Sequence, residues 1–162
     1  AILPSCWYKS NHSSIALKHI DINSEQEKLL AEIAETIIPS GVAPGAKDTY
    51  AHLFALRMID DCYEKQKQKT FVSGLMQVDD LSKKKFGTSF RKCSSQQRNE
   101  IISLLEGKKV SQETVDFYGM MKQLTMQGYL TSKPVLGEIF NYELAPGRYN
   151  GFFAAKTIIP QV

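Results

Sequence analysis

The sequence has little of what marks a membrane-spanning or metal-binding protein. No apolar stretch approaches the roughly 18 residues that a membrane helix requires. Its three cysteines and three histidines form neither a CxxC nor an HExxH pattern, the spacings that hold zinc. The net charge of +3 comes from 20 basic and 17 acidic residues, so no strong field attracts nucleic acid. We therefore expect a globular protein with no metal site and no nucleic-acid partner.

The motifs of several large enzyme classes are missing as well. The chain has no GxSxG nucleophile elbow, no GxGxxG fingerprint and no GxxxxGK[ST] phosphate-binding loop. The tightest acidic cluster is Asp60–Asp61, whose side chains would point about 100° apart on a helix. We interpret them as surface or interface ion pairs with Arg57 and Lys65. The lysine-rich stretch 65–85 is interpreted as a solvated helix face. The sequence thus indicates no catalytic site.

What the chain does contain is a series of helix start signals. Ser24 with Glu27 forms a capping-box pattern ahead of apolar residues at helical spacing. Ser94 with Gln97 repeats that pattern later in the chain. Asp48 is a suitable N-cap for a helix between them. These signals predict at least three separate helix starts.

The helix stop signals complete the prediction of the fold class. Pro39 ends the first helix, Gly87 fits the C-cap of the third and Gly107 ends the fourth. Pro134 suits the first position of a short helical turn. We predict a compact all-α domain of five main helices, with an irregular N-terminal tether and a C-terminal loop. The predicted helices cover residues 24–38, 49–63, 65–86, 94–106 and 111–129.

The first residues resemble the end of a bacterial lipoprotein signal. Residues Leu3 to Cys6 read Leu-Pro-Ser-Cys, similar to a lipobox, where cleavage before Cys6 would leave a lipid-carrying amino terminus. Residues 7–20 would then form a polar tether. We therefore divide the chain into a signal remnant and tether over 1–23 and a helical domain over 24–162. The alternative is a frayed tail with an incidental cysteine.

The two remaining cysteines, Cys62 and Cys93, leave two alternatives open. They could form a disulfide in an exported protein, although their spacing does not fix this. Cys62 otherwise behaves as a small hydrophobic residue near a helix end, and we expect it to be buried.

The stretch NYELAPGRYNGF near the C terminus differs from the helices. Pro146 and Gly147 are not tolerated together inside a helix or a central strand, which predicts a shaped loop. Gly147 and Gly151 allow positive φ or a close approach of another chain. Arg148 and Tyr149 are side-chain types that often anchor interfaces. We expect this loop either to dock on a partner or to fold back onto the core of its own domain.

Six blocks of sequence occur in an order that carries a family resemblance. Alone each block is weak, but together they cover nearly everything from Ser24 to Phe153. They resemble the gluconate 2-dehydrogenase subunit 3 family. The blocks are LLAEIAETIIPS…PGAKD (29–48), DDCY (60–63), FVSGL (71–75), KKKFGTSF (83–90), LTMQGYLTS (124–132) and YELAPGRYNG (142–151).

The resemblance implies a small helical subunit, without a cofactor of its own, of a bacterial flavin-dependent dehydrogenase. Its large partner would be a GMC-type (glucose–methanol–choline) oxidoreductase carrying FAD, and a cytochrome c subunit often passes electrons to the membrane. Such subunits typically bear a twin-arginine signal and are exported with the folded large subunit. The chain would then be no enzyme by itself. It would assist export, assembly or anchoring on the periplasmic side of a membrane, held by lipid on Cys6.

The resemblance also implies where the large subunit docks. The family's closing motif is represented by Tyr129 in the fifth helix and by Pro146, Gly147, Arg148, Tyr149 and Gly151 in the loop. Many relatives carry a cysteine where this chain has Phe152, so we expect a noncovalent complex here. Two rival interpretations are a stand-alone periplasmic lipoprotein and a small hydrolase with an unrecognised site, for which His52, Asp60 and Asp61 are the residues to test.

Overall fold

The structure is a computed structural model that describes residues 12–140 and Tyr142, and in that part it is helical with no strand. The all-α fold predicted from the sequence is confirmed. In the described residues no helix combines the length and the apolar character needed to cross a bilayer. The main helices are α1 (Ser24–Ile37), α2 (Ala51–Cys62), α3 (Lys65–Phe86), α4 (Ser95–Glu106) and α5 (Gln112–Leu130), with a 3-10 turn (Phe90–Lys92) and a π-helical turn (Val135–Ile139).

The capping boxes of α1 and α4 show how local chemistry starts the helices. Ser94 and Gln97 form the predicted box ahead of α4. The α1 prediction was wrong by one residue, because Asn23 is the cap and Gln26 completes its box. The Asn23 side chain accepts the N–H of Gln26 at 2.9 Å, and the Gln26 side chain accepts the N–H of Asn23 at 2.9 Å. Asn is as effective an N-cap as Ser, so the residue type did not separate the two registers.

The start of α2 differs more from its prediction. Asp48 does not cap α2 but accepts the N–H of Gly45 at 2.9 Å, inside the preceding loop. The residue before α2 is Tyr50, which has a φ of 55° and makes no side-chain cap. The end of α3 is as predicted, because Gly87 takes a left-handed φ of 71° and its N–H bonds to Lys83.

Close contacts at two glycines hold α5 between α2 and α3. A Cβ on Gly74 of α3 would lie 2.3 Å from the Cβ of Phe117 in α5. A Cβ on Gly128 of α5 would lie 2.9 Å from the ring of Phe54 in α2. Both glycines therefore let a neighbouring aromatic residue approach the helix backbone. The largest fully buried side chains form the core around these contacts: Ile22, Leu30, Ile33, Leu56, Ile59, Phe71, Leu75, Phe90, Ile101, Leu105, Phe117 and Met121.

Residues 12–22, which we call the strap, lie against the helices. Most of this segment was expected to be a polar tether. Ile20 and Ile22 are buried in the core instead, and His12 forms an antiparallel β-bridge with Asn23. The described part of the expected tether is thus packed, because its isoleucines supply apolar surface to bury. The domain division at residue 24 stays a prediction.

Candidate functional site

The C-terminal end of α5 presents exposed apolar side chains. Met126 and Leu130 lie one turn apart, on one face of the helix, and are 44% and 47% exposed. Phe140 and Tyr142, beyond the π-helical turn, are also exposed. The N–H of Tyr142 donates to the carbonyl of Leu136 at 2.8 Å, which fixes this last described residue to the turn. We call Met126, Leu130, Phe140 and Tyr142 the apolar end.

The opposite, buried side of the C-terminal end of α5 is fixed by contacts with α2 and the core. Gly128 receives the ring of Phe54, and Tyr129 packs half-buried against the core. Tyr50, one turn before Phe54, is 65% exposed and takes the left-handed conformation. That conformation costs a non-glycine residue about 1–2 kcal/mol. An exposed aromatic side chain is therefore held immediately before α2, one turn from the Phe54 ring that contacts Gly128 of α5.

The predicted partner residues fall mostly outside the described chain. Tyr129 is described, and its partial burial means that its ring is shared between the core and the surface. Leu130, beside it, is the more exposed of the two. The described chain reaches Tyr142 at the apolar end, and the predicted loop follows it in sequence. The residues that lie outside the described part are Cys6, Pro146, Gly147, Arg148, Tyr149 and Gly151.

Asp60 holds the strap in place, which corrects its interpretation as a surface ion pair. Its side chain is almost fully buried, at 1% exposure. The carboxylate accepts the backbone N–H groups of Lys18 at 2.7 Å, His19 at 2.7 Å and Ile20 at 3.0 Å. Burial disfavours the charged form, but these three donors outweigh it and hold the pKa of Asp60 below its usual range. Successive N–H groups that converge on an anion form a nest-like site, here filled by a side chain of the same protein.

Asp61 behaves more nearly as predicted. Its carboxylate lies 3.8 Å from the ammonium of Lys18 and 3.8 Å from the guanidinium of Arg57. Among the described residues Lys65 forms no ion pair, so that part of the prediction was wrong. Arg57 also donates to the carbonyl of Ala16 at 2.9 Å. The adjacent carboxylates thus differ in kind: one is a buried acceptor for the strap and the other is a solvated ion pair.

The residues proposed for a rival hydrolase do not assemble into one site. His52 and Asp60 are eight residues apart on α2, a rise of about 12 Å. Both oxygens of Asp60 are already engaged by the strap. His52 is buried, burial lowers its pKa, and within the described chain its Nδ1 has no hydrogen-bond partner. Over the same residues, no three His, Cys, Asp or Glu side chains are placed to hold a metal ion.

The two described cysteines are free thiols in different environments. Cys62 is exposed, so the expectation that it is buried was wrong. It is the last residue of α2, at the end of the helix that packs into the core. Cys93 is buried, and burial raises the pKa of its thiol. The structure therefore contains no disulfide between them.

Glu35 fixes the conformation of the loop between α1 and α2, a role that was not predicted from the sequence. Its carboxylate accepts the backbone N–H of Ser40 at 2.8 Å and that of Lys47 at 3.0 Å, across the loop between α1 and α2. A Cβ on Gly45 would lie 2.6 Å from the backbone N of Ser40, which cannot move aside as the Glu35 carboxylate could, so this position requires glycine. The available signal was a carboxylate less than two turns before a loop with two prolines and two glycines.

Together these features define a small helical protein that exposes apolar side chains at the C-terminal end of α5 and beyond the π-helical turn. The chain matches the family model of gluconate 2-dehydrogenase subunit 3 over residues 24–147 and belongs to that family. The resemblance seen in the six blocks is confirmed, and the family name describes one subunit of a dehydrogenase complex. The match includes Pro146 and Gly147 but ends before Arg148, Tyr149 and Gly151. Searches of curated proteins and of solved structures gave no significant match.

Proposed function

We propose that this chain is the non-catalytic small subunit of a periplasmic, flavin-dependent dehydrogenase that oxidises a sugar or a sugar acid of the gluconate type. The observation that carries the proposal is the family match, which spans 124 of the 162 residues (147 − 24 + 1). In this proposal the subunit assists the export, assembly or anchoring of a GMC-type catalytic subunit.

The cofactors of the complex belong to the other subunits in this proposal. The GMC-type subunit carries FAD, and a cytochrome c subunit takes up the electrons. This chain binds no cofactor, and lipid on Cys6 holds it at the periplasmic side of a membrane. Purified alone, it should show no flavin absorbance and no dye-linked oxidation of gluconate or glucose. Stoichiometric FAD in a preparation free of the large subunit contradicts this assignment.

The proposed contact with the catalytic subunit combines the apolar end with the loop that follows it. Interface centres are rich in aromatic and apolar side chains, and exposed Met126, Leu130, Phe140 and Tyr142 fit that composition. Full burial of one such side chain contributes about 1.5–3 kcal/mol, so half-exposed Met126 and Leu130 would each contribute about 1 kcal/mol. Arg148 and Tyr149 supply the anchoring side-chain types.

The described chain offers a matched control for this interface. Met126 and Met76 are exposed to nearly the same extent, 44% and 46%, but Met76 lies in the middle of α3. Met126→Lys and Leu130→Lys should each weaken co-purification with the co-expressed GMC-type oxidoreductase about tenfold or more, because a charge replaces apolar contact at the interface centre. Met76→Lys should leave it unchanged, and all three variants should keep the parent melting temperature. Equal loss in the Met76 variant, or none in the other two, argues against this face.

The loop is tested by a second pair of variants. Arg148→Ala and Tyr149→Ala should lower affinity for the large subunit by about thirtyfold each if these residues anchor the complex. Their melting temperatures should match the parent. Lower stability with unchanged affinity per folded molecule would show that the loop caps its own domain instead.

A further inference from the structure

The strap is bonded to the body along its length. Besides the three N–H groups held by Asp60, the carbonyl of Ala16 accepts from Arg57 at 2.9 Å and the N–H of Ser14 donates to Glu27 at 2.6 Å. His12, the first described residue, forms its bridge to Asn23. The strap is therefore fixed to the body from His12 onward.

The distance from this point to Cys6 is short. Six residue steps of about 3.4 Å each place His12 at most about 20 Å from Cys6. The intervening residues begin with Trp7, Tyr8 and Lys9. Trp and Tyr are enriched where a protein meets the headgroup region of a membrane, and Lys suits an anionic one. A lipid on Cys6 would therefore keep the strap within reach of the bilayer surface.

The strap lies beside a mainly apolar groove whose lining includes two lysines. His19 and Ile20 of the strap line it together with Lys65, Lys69 and Val72 from the first turns of α3. The groove also contains one carboxylate, that of Asp21. Lysine stems can cover apolar surface such as Val72 while their ammonium groups reach outward. The arrangement suits an anionic headgroup, with apolar contact beneath it.

We propose that the strap, together with Lys65 and Lys69, forms a membrane-facing surface that binds anionic lipid headgroups. The inference rests on the lipid anchor in the proposed function and is independent of the catalytic partner. Because the tether is short and the strap is bonded to the helices, the lipid anchor would fix the orientation of the domain. The strap surface then faces the bilayer. The C-terminal end of α5, which packs against the start of α2, remains available to the partner.

Lysine footprinting on vesicles tests the proposed surface. The full-length lipidated protein is placed on vesicles of phosphatidylglycerol and phosphatidylethanolamine and treated with a water-soluble acylating reagent, and the modified lysines are quantified by mass spectrometry. Lys65 and Lys69 should react about threefold or more slowly than in detergent, because lipid headgroups cover their ammonium groups. Lys84 is the internal control. It is exposed on the same helix, about 22 Å beyond Lys69, and should react at the same rate on vesicles and in detergent.

A spacer variant separates tether length from simple attraction. About twelve Gly and Ser residues inserted between Ser10 and Asn11 would add roughly 40 Å of reach, and the protection of Lys65 and Lys69 should fall by about half or more. Equal reactivity of Lys65, Lys69 and Lys84 in protein with verified lipid on Cys6 overturns the inference. Equal protection on neutral phosphatidylcholine vesicles overturns the role of anionic headgroups. Absence of lipid on Cys6 removes both the anchor and this inference, whereas co-purification with the oxidoreductase tests the subunit role separately.

Discussion

The replacement of Asp60 by Asn tests the most specific contact in the structure. The change keeps the shape of the side chain, but it removes the negative charge and turns one acceptor oxygen into an NH2 donor. In the parent protein three backbone N–H groups, of Lys18, His19 and Ile20, donate to the carboxylate. After the change at least one of them faces a donor inside a site that is almost closed to water.

The expected cost follows from these bonds. Losing a hydrogen bond to a charged group costs about 1.5–3 kcal/mol, and leaving a buried N–H unpaired costs about 1–3 kcal/mol more. We expect Asp60→Asn to lower the free energy of unfolding by about 3–5 kcal/mol, which corresponds to a fall in melting temperature of roughly 10 °C for a chain of this length. The adjacent change Asp61→Asn removes only solvated pairs at 3.8 Å and should cost about 0–1 kcal/mol.

Urea and thermal unfolding followed by circular dichroism measure both variants. Limited trypsin digestion adds a local assay. The Lys18 side chain is already exposed, but its backbone N–H is held by Asp60, so a loosened strap should let the protease bind the backbone there and speed cleavage in the Asp60 variant alone. The reasoning fails if Asp60→Asn costs less than about 1 kcal/mol, or if both variants cost the same, since in either case the strap would not depend on the buried carboxylate.

Two further predictions concern packing and thiol chemistry. Gly74→Ala should destabilise the protein by about 1–3 kcal/mol, because its new methyl group would lie 2.3 Å from Phe117. Gly119→Ala has open space around it and should stabilise α5 by about 0.5–1 kcal/mol. The two melting temperatures should shift in opposite directions, and shifts in the same direction contradict the packing at Gly74. In protein with Cys6 replaced by Ser, exposed Cys62 should react readily with a maleimide and buried Cys93 only after unfolding; equal rates measured by mass spectrometry contradict this burial.

The helices were predictable because their signals are local. Apolar spacing, the Ser94–Gln97 box and the glycine after α3 each involve residues within about one turn of one another, so their meaning survives without knowledge of the fold. All five main helices were found, and their ends differ from prediction by a few residues at most. The first cap moved to Asn23 because two equally good capping residues stand next to each other.

The errors lie where a residue's role depends on a distant part of the chain. Asp60 and its donor His19 are 41 residues apart, and no spacing rule relates them. The sequence of the strap is typical of a tether because its serines and histidines outnumber the isoleucines, whose side chains pack it against the core. Of the partner residues named from the family's closing motif, only Tyr129 lies in the described part of the chain, and the loop with Pro146 and Gly147 stays a prediction.

The pH dependence of the strap gives a second, independent test of Asp60. Burial opposes its ionisation, but the three N–H donors and the nearby His19 lower its pKa relative to the unfolded chain. A group with a lowered folded-state pKa contributes stability that is complete above its unfolded pKa, near 3.8, and is lost as the pH falls through the folded value. Other carboxylates with lowered pKa values, such as Glu32 and Asp79, also lose stabilisation in acid. The difference in unfolding free energy between the parent and Asp60→Asn isolates this one group. Measured in urea, that difference should be constant between about pH 5 and 8 and should shrink below about pH 4. A difference that persists unchanged to pH 3 assigns the cost of the substitution to the shape of the side chain and not to its charge.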